Sequence, residues 1–218
     1  MPSLNTYITL VKKKYPAFKK DNLQIFDDGF DYLVIVCGNK IAFRFPRKDK
    51  YAKGLREEMV FVKEFAENSP VRVPRMSCYK DQKVGTYVIY DFIGGVQFSR
   101  DLAKEFSVKE IKEVAKKLGS FLTSLHSFPT EKAIKMQRDK FETLKDWENR
   151  LVKIKKVVFP VLKSKEKEWA EKLFKNFFIT LNKSIIIPRV IHGDIMPEHI
   201  IVDPSSHKLA GIIDFGDV

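Results

Sequence analysis

Three side chains near the C-terminal end of the chain are spaced as a proton acceptor and two cation ligands would be. They are Asp194 and His199 in Val190-Ile191-His192-Gly193-Asp194-Ile195-Met196-Pro197-Glu198-His199-Ile200-Ile201-Val202-Asp203, and Asp214 in Gly211-Ile212-Ile213-Asp214-Phe215-Gly216-Asp217. The pattern around them reads as a short apolar strand at Val190-Ile191, a polar loop, a second strand, a turn at Asp203-Pro204-Ser205-Ser206 and a third strand ending at Asp214. Strands in that order deliver the three groups to one end of a small sheet. Phosphoryl transfer asks for such groups, because its loose transition state is served mainly by positioning the acceptor and neutralising phosphate charge with a metal. In that chemistry Asp194 orients a hydroxyl and accepts its proton, while His199 and Asp214 face a divalent cation and nucleotide phosphates. Mg²⁺ prefers oxygen ligands, so Asp214 carries more of the metal reading than His199.

Taken singly, either segment reads as a turn capped by acidic side chains. Together, HGDxxPxHII and GIIDFGD resemble the catalytic and metal motifs of the aminoglycoside phosphotransferase family, relatives of the protein kinases. HGD stands where kinases have HRD, His199 where they have Asn, and Asp214-Phe215-Gly216 matches DFG. The wording is most similar to the 2''-aminoglycoside branch and less so to the macrolide phosphotransferases. The resemblance implies an α+β, protein-kinase-like fold in two lobes: residues 1–93 as a nucleotide-binding lobe with an antiparallel sheet, and residues 94–218 as a partial helical lobe. It implies transfer of the γ-phosphate of GTP or ATP, with Mg²⁺, to a hydroxyl of an aminoglycoside. Another acceptor, such as a macrolide or a metabolite, is the second reading; a silent nucleotide-binding fragment or a basic nucleic-acid-binding protein is the third. Family members continue past the DFG-type motif into further helices, so the resemblance implies a truncated chain lacking much of the acceptor surface.

The elements that must hold these groups can be traced from the N-terminus. Ser3 is placed to cap a helix to about Tyr15, with Leu4, Ile8 and Val11 on one face and Pro16 as its stop. Leu23 to Phe26, Tyr32 to Cys37 and Lys40 to Phe45 read as strands, the last two joined by a two-residue turn at Gly38-Asn39. The loop Asp27-Asp28-Gly29-Phe30-Asp31 stands where the family's nucleotide-covering loop lies, with one Gly and with aspartates that are unfavourable to phosphate unless turned outward. In Arg44-Phe45-Pro46-Arg47, alternation puts Arg44 on the face opposite Phe43 and Phe45. The resemblance makes Arg44 the phosphate-anchoring cation, where kinases carry Lys, and calls for a carboxylate partner on the next helix, Tyr51 to Ala66. Glu58 lies at the edge of that helix's apolar stripe and Glu57 points away, so Glu58 is the expected partner.

A strand from Pro74, a turn at Asp81 to Gly85 and a strand over Thr86 to Phe92 lead to Gly94-Gly95. By position, the resemblance makes Tyr90, Asp91, Phe92 and Ile93 the hinge whose backbone meets the nucleotide base. Ser107 with Glu110 forms a capping box for a helix to Ser127, striped by Ile111, Ala115, Leu118, Leu122 and Leu125, with His126 structural. Helices over roughly Lys140 to Lys156 and Lys165 to Leu181 follow, parted by Pro160.

The 218 residues carry a net charge of +12, mostly lysine, and 44% apolar residues. The lysines are scattered over helical segments without interleaved aromatics, so nucleic acid is not the expected partner. No apolar run reaches membrane-spanning length and no signal peptide is evident, which gives a cytoplasmic expectation and no membrane partner. Cys37 and Cys78 lie in apolar strands and read as buried free thiols.

Overall fold

The computed structural model describes residues 2–18, 22–27, 29–136, 143–183 and 187–218, with 182 and 183 described by backbone alone. Asp28 of the loop expected to cover a nucleotide and residues 140–142 at the expected start of a helix lie outside them. The described residues fall into two compact units, Met1–Asp139 with Arg189–Val218, and Lys140–Pro188. The expected lobe boundary at residue 93 lies within the first.

The first unit begins with helix α1 (Leu4–Lys14), strands β1 (Leu23–Phe26), β2 (Tyr32–Cys37) and β3 (Ile41–Pro46), helix α2 (Asp49–Phe65), and strands β4 (Met76–Asp81) and β5 (Gly85–Asp91). The strands form one antiparallel sheet in the order β1-β2-β3-β5-β4. Gly38 and Asn39 both take positive φ, 55° and 54°, and the Lys40 N–H donates to the Cys37 carbonyl; the register pairs Cys37 with Ile41, so Lys40 joins the turn in place of opening β3 as expected. Because successive side chains alternate between faces, Leu33, Ile35, Cys37, Phe43, Phe45, Tyr87 and Ile89 share one face and pack under Tyr7, Leu10 and Val11 of α1. The inner face of α1 therefore differs from the expected one: Leu4 is 40% exposed, and Tyr7 takes its place, with its ring 4.7 Å from that of Phe45. An aromatic ring reaches this sheet from a position that the spacing of aliphatic residues does not mark. Cys37 is buried and its thiol is pushed up to about 11 by desolvation, whereas Cys78 is only half-buried. On the opposite sheet face, Leu55 of α2 packs on Met76 and Val88.

After β5 come β6 (Val96–Gln97), α3 (Arg100–Ala103), α4 (Val108–His126), α5 (Thr130–Lys135), β7 (Ile200–Asp203) and β8 (Lys208–Ile212). The three strands make a small sheet ordered β6-β7-β8. The strand expected at Val190-Ile191 does not form; that stretch is irregular, with Val190 buried and Ile191 exposed. β6 takes the third place in the sheet instead, pairing Val96 with Val202. Two apolar residues mark a strand only if a ladder partner reaches them, and a partner from a hundred residues away is invisible in a local pattern. The inner stripe of α4 also shifts: Val114 and Phe121 are buried with Leu125, while Ala115 faces outward. The run 111-114-118-121-125 keeps the steps of three and four that hold one helix face. These residues join Phe61, Phe65, Val202, Ile212 and Phe215 in the larger core of the unit.

The second unit holds α6 (Leu144–Val157) and α7 (Ser164–Lys183), joined through a short 3₁₀ turn at Phe159–Val161 that contains Pro160. Thr143 and Asp146 form a capping box at the start of α6, and the Trp147 and Phe177 rings stand 5.1 Å apart. No described helix is long and apolar enough to cross a membrane.

The Ser107 hydroxyl accepts from the Glu110 N–H while the Glu110 carboxylate accepts from the Ser107 N–H at 2.7 Å, a bond that, with the hydroxyl, holds this carboxyl below its ordinary range. Its contribution is complete above the ordinary glutamate pKa of about 4.3 and fades as pH falls through the lower folded value. Ser107→Ala is expected to lower the unfolding free energy by about 1 kcal/mol, read as a lower urea midpoint with an unchanged slope.

Candidate active site

Arg44 emerges from β3 on the sheet face that meets α2, flanked in register by Val34 of β2 and Val88 of β5. Glu58 lies on the inner face of α2, fully buried at 0% exposure among Leu55, Phe61 and Val62. Two such charges must meet, because each loses its hydration. Arg44 Nη1 donates to Glu58 Oε1 at 3.0 Å and Oε2 at 2.9 Å, and Nη2 donates to Asp214 Oδ1 at 3.2 Å. Burial alone would lower the arginine pKa, but Glu58 and Asp214 more than offset it, and the net direction is up. Glu57 has no share in this pair; its Oε1 stands 3.4 Å from Lys53 Nζ.

The two loops that hold Asp194, His199 and Asp214 are stitched to one another. The Ile213 N–H donates to the His199 carbonyl at 3.0 Å, and His192 Nε2 donates to the Ile213 carbonyl at 3.1 Å. His192 is 2% exposed, and burial pushes its pKa down, so the ring is neutral, with Nδ1 lacking a hydrogen-bond partner. His199 Nδ1 donates to the Asp194 carbonyl at 2.5 Å. That bond puts a proton on Nδ1 and turns Nε2 toward Asp214 Oδ2, 3.6 Å away. Asp194 Oδ2 stands 3.9 Å from the same ring, and the Asp194 and Asp214 side chains are 47% and 43% exposed, open to a ligand. Asp214 itself holds φ at 65°, a left-handed conformation uncommon outside glycine. Gly193, at φ 81°, lets the Asp217 backbone cross over it: a Cβ at this position would lie 2.5 Å from the Asp217 carbonyl oxygen. Phe215 anchors the second loop, its ring 4.9 Å from His192, 6.2 Å from Phe65 of α2 and 6.1 Å from Phe121 of α4.

Among the described residues, no set of three or more His, Cys, Asp or Glu side chains converges as a metal cluster. A nucleotide-borne Mg²⁺ needs only one or two carboxylates, with phosphates and water completing its shell. For such an ion Asp214 would be the oxygen donor, with the His199 ring nitrogen Nε2 3.6 Å from it.

At the expected hinge, Ile93 is buried and Tyr90 half-buried, its phenol pushed up to about 12 by desolvation against the pull of Arg44. Asp91 pairs in register with Ile41. The Phe92 N–H donates to the Lys40 carbonyl at 2.8 Å, and its carbonyl accepts from Arg72 Nη2 at 3.3 Å, so both its backbone groups are engaged. Two residues of the site escaped the sequence reading. Arg47 ties down the covering loop, donating from Nε to the Gly29 carbonyl at 2.8 Å and from Nη2 to both the Asp27 carbonyl and Oδ1 at 2.6 Å. Tyr32 covers the Arg44 guanidinium, with Cζ 3.8 Å from the ring centroid. The position of Tyr32 on the same sheet face as Arg44 was available from alternation; the partners of Arg47 had no sequence signal.

Glu58→Gln strands a buried guanidinium and is expected to cost about 3–5 kcal/mol of stability by urea unfolding. Gly193→Ala adds a Cβ against backbone at positive φ and is expected to cost about 1–3 kcal/mol in the same measurement.

The solved GDP complex of wild-type aminoglycoside 2'-phosphotransferase-IIIa superposes with a TM-score of 0.84 at 25% identity, covering 97% of this chain and 72% of that one. The GDP and kanamycin complex of APH(2'')-IIIa gives 0.83 at 25% identity, covering 97% and 72%. Macrolide 2'-phosphotransferase MphH from Brachybacterium faecium shares the fold, with a TM-score of 0.68 at 16% identity over 98% of this chain and 72% of that one. The kinase-like fold is thus common to all three. Residues 25–218 match the model of the phosphotransferase enzyme family, which includes both site loops, β3 and α2, and to this family the chain belongs.

Proposed function

We propose that this protein transfers the γ-phosphate of GTP or ATP to a hydroxyl of an aminoglycoside. The observation that carries the reading is the convergence of ionisable side chains: Glu58 and Asp214 meet Arg44 at 2.9 and 3.2 Å, and the His199 ring lies between Asp214, at 3.6 Å, and Asp194, at 3.9 Å. It supports reading Arg44 as the cation for the donor phosphates, Asp214 as the metal-binding carboxylate and Asp194 as the proton acceptor. Residues 1–93 serve as the nucleotide-binding lobe and 94–218 as the catalytic one. The relatives solved with GDP and with kanamycin support the donor and acceptor classes.

In this reading the donor phosphates meet Arg44, which Glu58 holds through Nη1. Asp214 and His199 hold Mg²⁺, which supplies charge neutralisation for the phosphates. Asp194 orients the acceptor hydroxyl and takes its proton as the oxygen–phosphorus bond forms and the bond to the departing nucleoside diphosphate breaks. The hinge backbone at Asp91 and Ile93 reads the base, since that of Phe92 is already engaged. Asp194 is suited to the acceptor side because its carboxylate is half-exposed and lies beyond His199 from Asp214. An aminoglycoside is a polycation, and the exposed carboxylate contributes attraction to it as well.

Asp194→Asn is expected to lower transfer to kanamycin by about 10²–10⁴-fold in a coupled nucleotide assay, the range for losing a general base, while nucleotide still raises the melting temperature. Asp214→Asn is expected to lose the Mg²⁺-dependent part of that rise. At about 100 times its dissociation constant a ligand adds roughly 2.7 kcal/mol, so the shift is measurable. Transfer by Asp194→Asn at the normal rate would remove Asp194 from the mechanism, and a wild-type protein that shifts with neither nucleotide would remove the donor assignment.

A further inference from the structure

We infer that Tyr32 is a positioning residue for Arg44, holding the plane of the guanidinium so that it can receive donor phosphate when Asp214 turns to other ligands. The inference rests on the proposed nucleotide site and adds to it a residue that no motif marks.

The need for such a residue follows from how Arg44 is gripped. Both Glu58 oxygens contact the same nitrogen, Nη1, at 3.0 and 2.9 Å. That is a pivot; a fork-to-fork pair using two nitrogens would fix the plane, and this one does not. The second restraint is Asp214 on Nη2 at 3.2 Å, from a side chain that is 43% exposed. Asp214 is also the group assigned to the cation, so its hold on Arg44 is the one that ligand binding weakens. What then keeps the guanidinium from swinging about Nη1 is the Tyr32 ring, with Cζ 3.8 Å from its centroid. A ring at that distance attracts the cation through its quadrupole, most strongly where water is excluded, and the Arg44 side chain is 11% exposed.

Tyr32 is itself well held. It is the first residue of β2, paired in register with Pro46, and its ring lies 6.0 Å from that of Tyr51 at the start of α2. Burial and the neighbouring charges leave its phenol pushed up to about 12, so the ring stays neutral beside the arginine. It also ends the loop 27–31 that Arg47 ties down, which links the position of that loop to the orientation of Arg44.

The test is calorimetric titration of Mg²⁺-ATP and Mg²⁺-GTP into the wild type, Tyr32→Phe, Tyr32→Leu, and proteins carrying mono-, di- and trifluorinated phenylalanine at position 32. Fluorine drains the ring quadrupole while keeping its shape, so folding is preserved along the series. Tyr32→Phe is expected to bind within about twofold of the wild type, Tyr32→Leu about two- to thirtyfold more weakly, and the fluorinated series progressively more weakly with each fluorine. A flat fluorinated series in a protein that binds nucleotide would overturn the inference and leave the proposed function standing. A wild type that binds neither nucleotide would overturn both.

Discussion

A guanidinium that cannot lose its proton sits inside the first unit, and much of the site's geometry follows from keeping it paired. Arg44 is placed by strand alternation on the face of the sheet that α2 covers, where it has little access to water. The cost of stripping hydration from such a charge is several kcal/mol, recovered only if carboxylates meet it with good geometry. Glu58 comes from a helix 14 residues away in sequence and Asp214 from a loop 170 residues away. One side chain therefore requires the sheet, the helix and the end of the chain to arrive at the same place.

The loops answer with their own cross-links. His192, Ile213, His199 and the Asp194 carbonyl are joined by hydrogen bonds that run from one loop to the other and back. As a result backbone contacts position both loops, Asp194 keeps a half-exposed carboxylate, and Asp214 gives one oxygen to Arg44 while the other faces His199. Behind them Phe215 packs among Phe65, Phe121 and His192, which ties the second loop to α2 and α4 through apolar contact. Phosphoryl transfer gains mainly from such preorganisation, because the protein has little bond-making of its own to do. The strained φ of Asp214 and the close crossing at Gly193 are where that arrangement is most tightly constrained.

Charge is arranged with the same economy. A loop bearing aspartates beside a phosphate site would repel its ligand, but Asp27 is neutralised by Arg47 at 2.6 Å, and the guanidinium also fills two loop carbonyls. The pairing converts an electrostatic liability into a fixed loop. The net charge of +12 favours anionic ligands over the whole surface, so a polycationic acceptor of the proposed kind would depend on local carboxylates such as Asp194.

The sequence by itself determined what depends on neighbours in the chain. Alternation around Phe43, Arg44 and Phe45 set the face on which the cation lies, Ser107 and Glu110 marked a helix start, and the spacing of Asp194, His199 and Asp214 pointed to one chemistry. These features are legible because their periods and hydrogen bonds close within a few residues. The tertiary structure alone decided what depends on distant partners: that Val190-Ile191 forms no strand while Val96 does, that Tyr7 and Phe121 face their cores in place of Leu4 and Ala115, and that Tyr32 and Arg47 serve the site. A ladder, a core face or a cation over a ring exists only when two remote segments meet. No local pattern carries the identity of the partner, and so that part of the site waits on the fold.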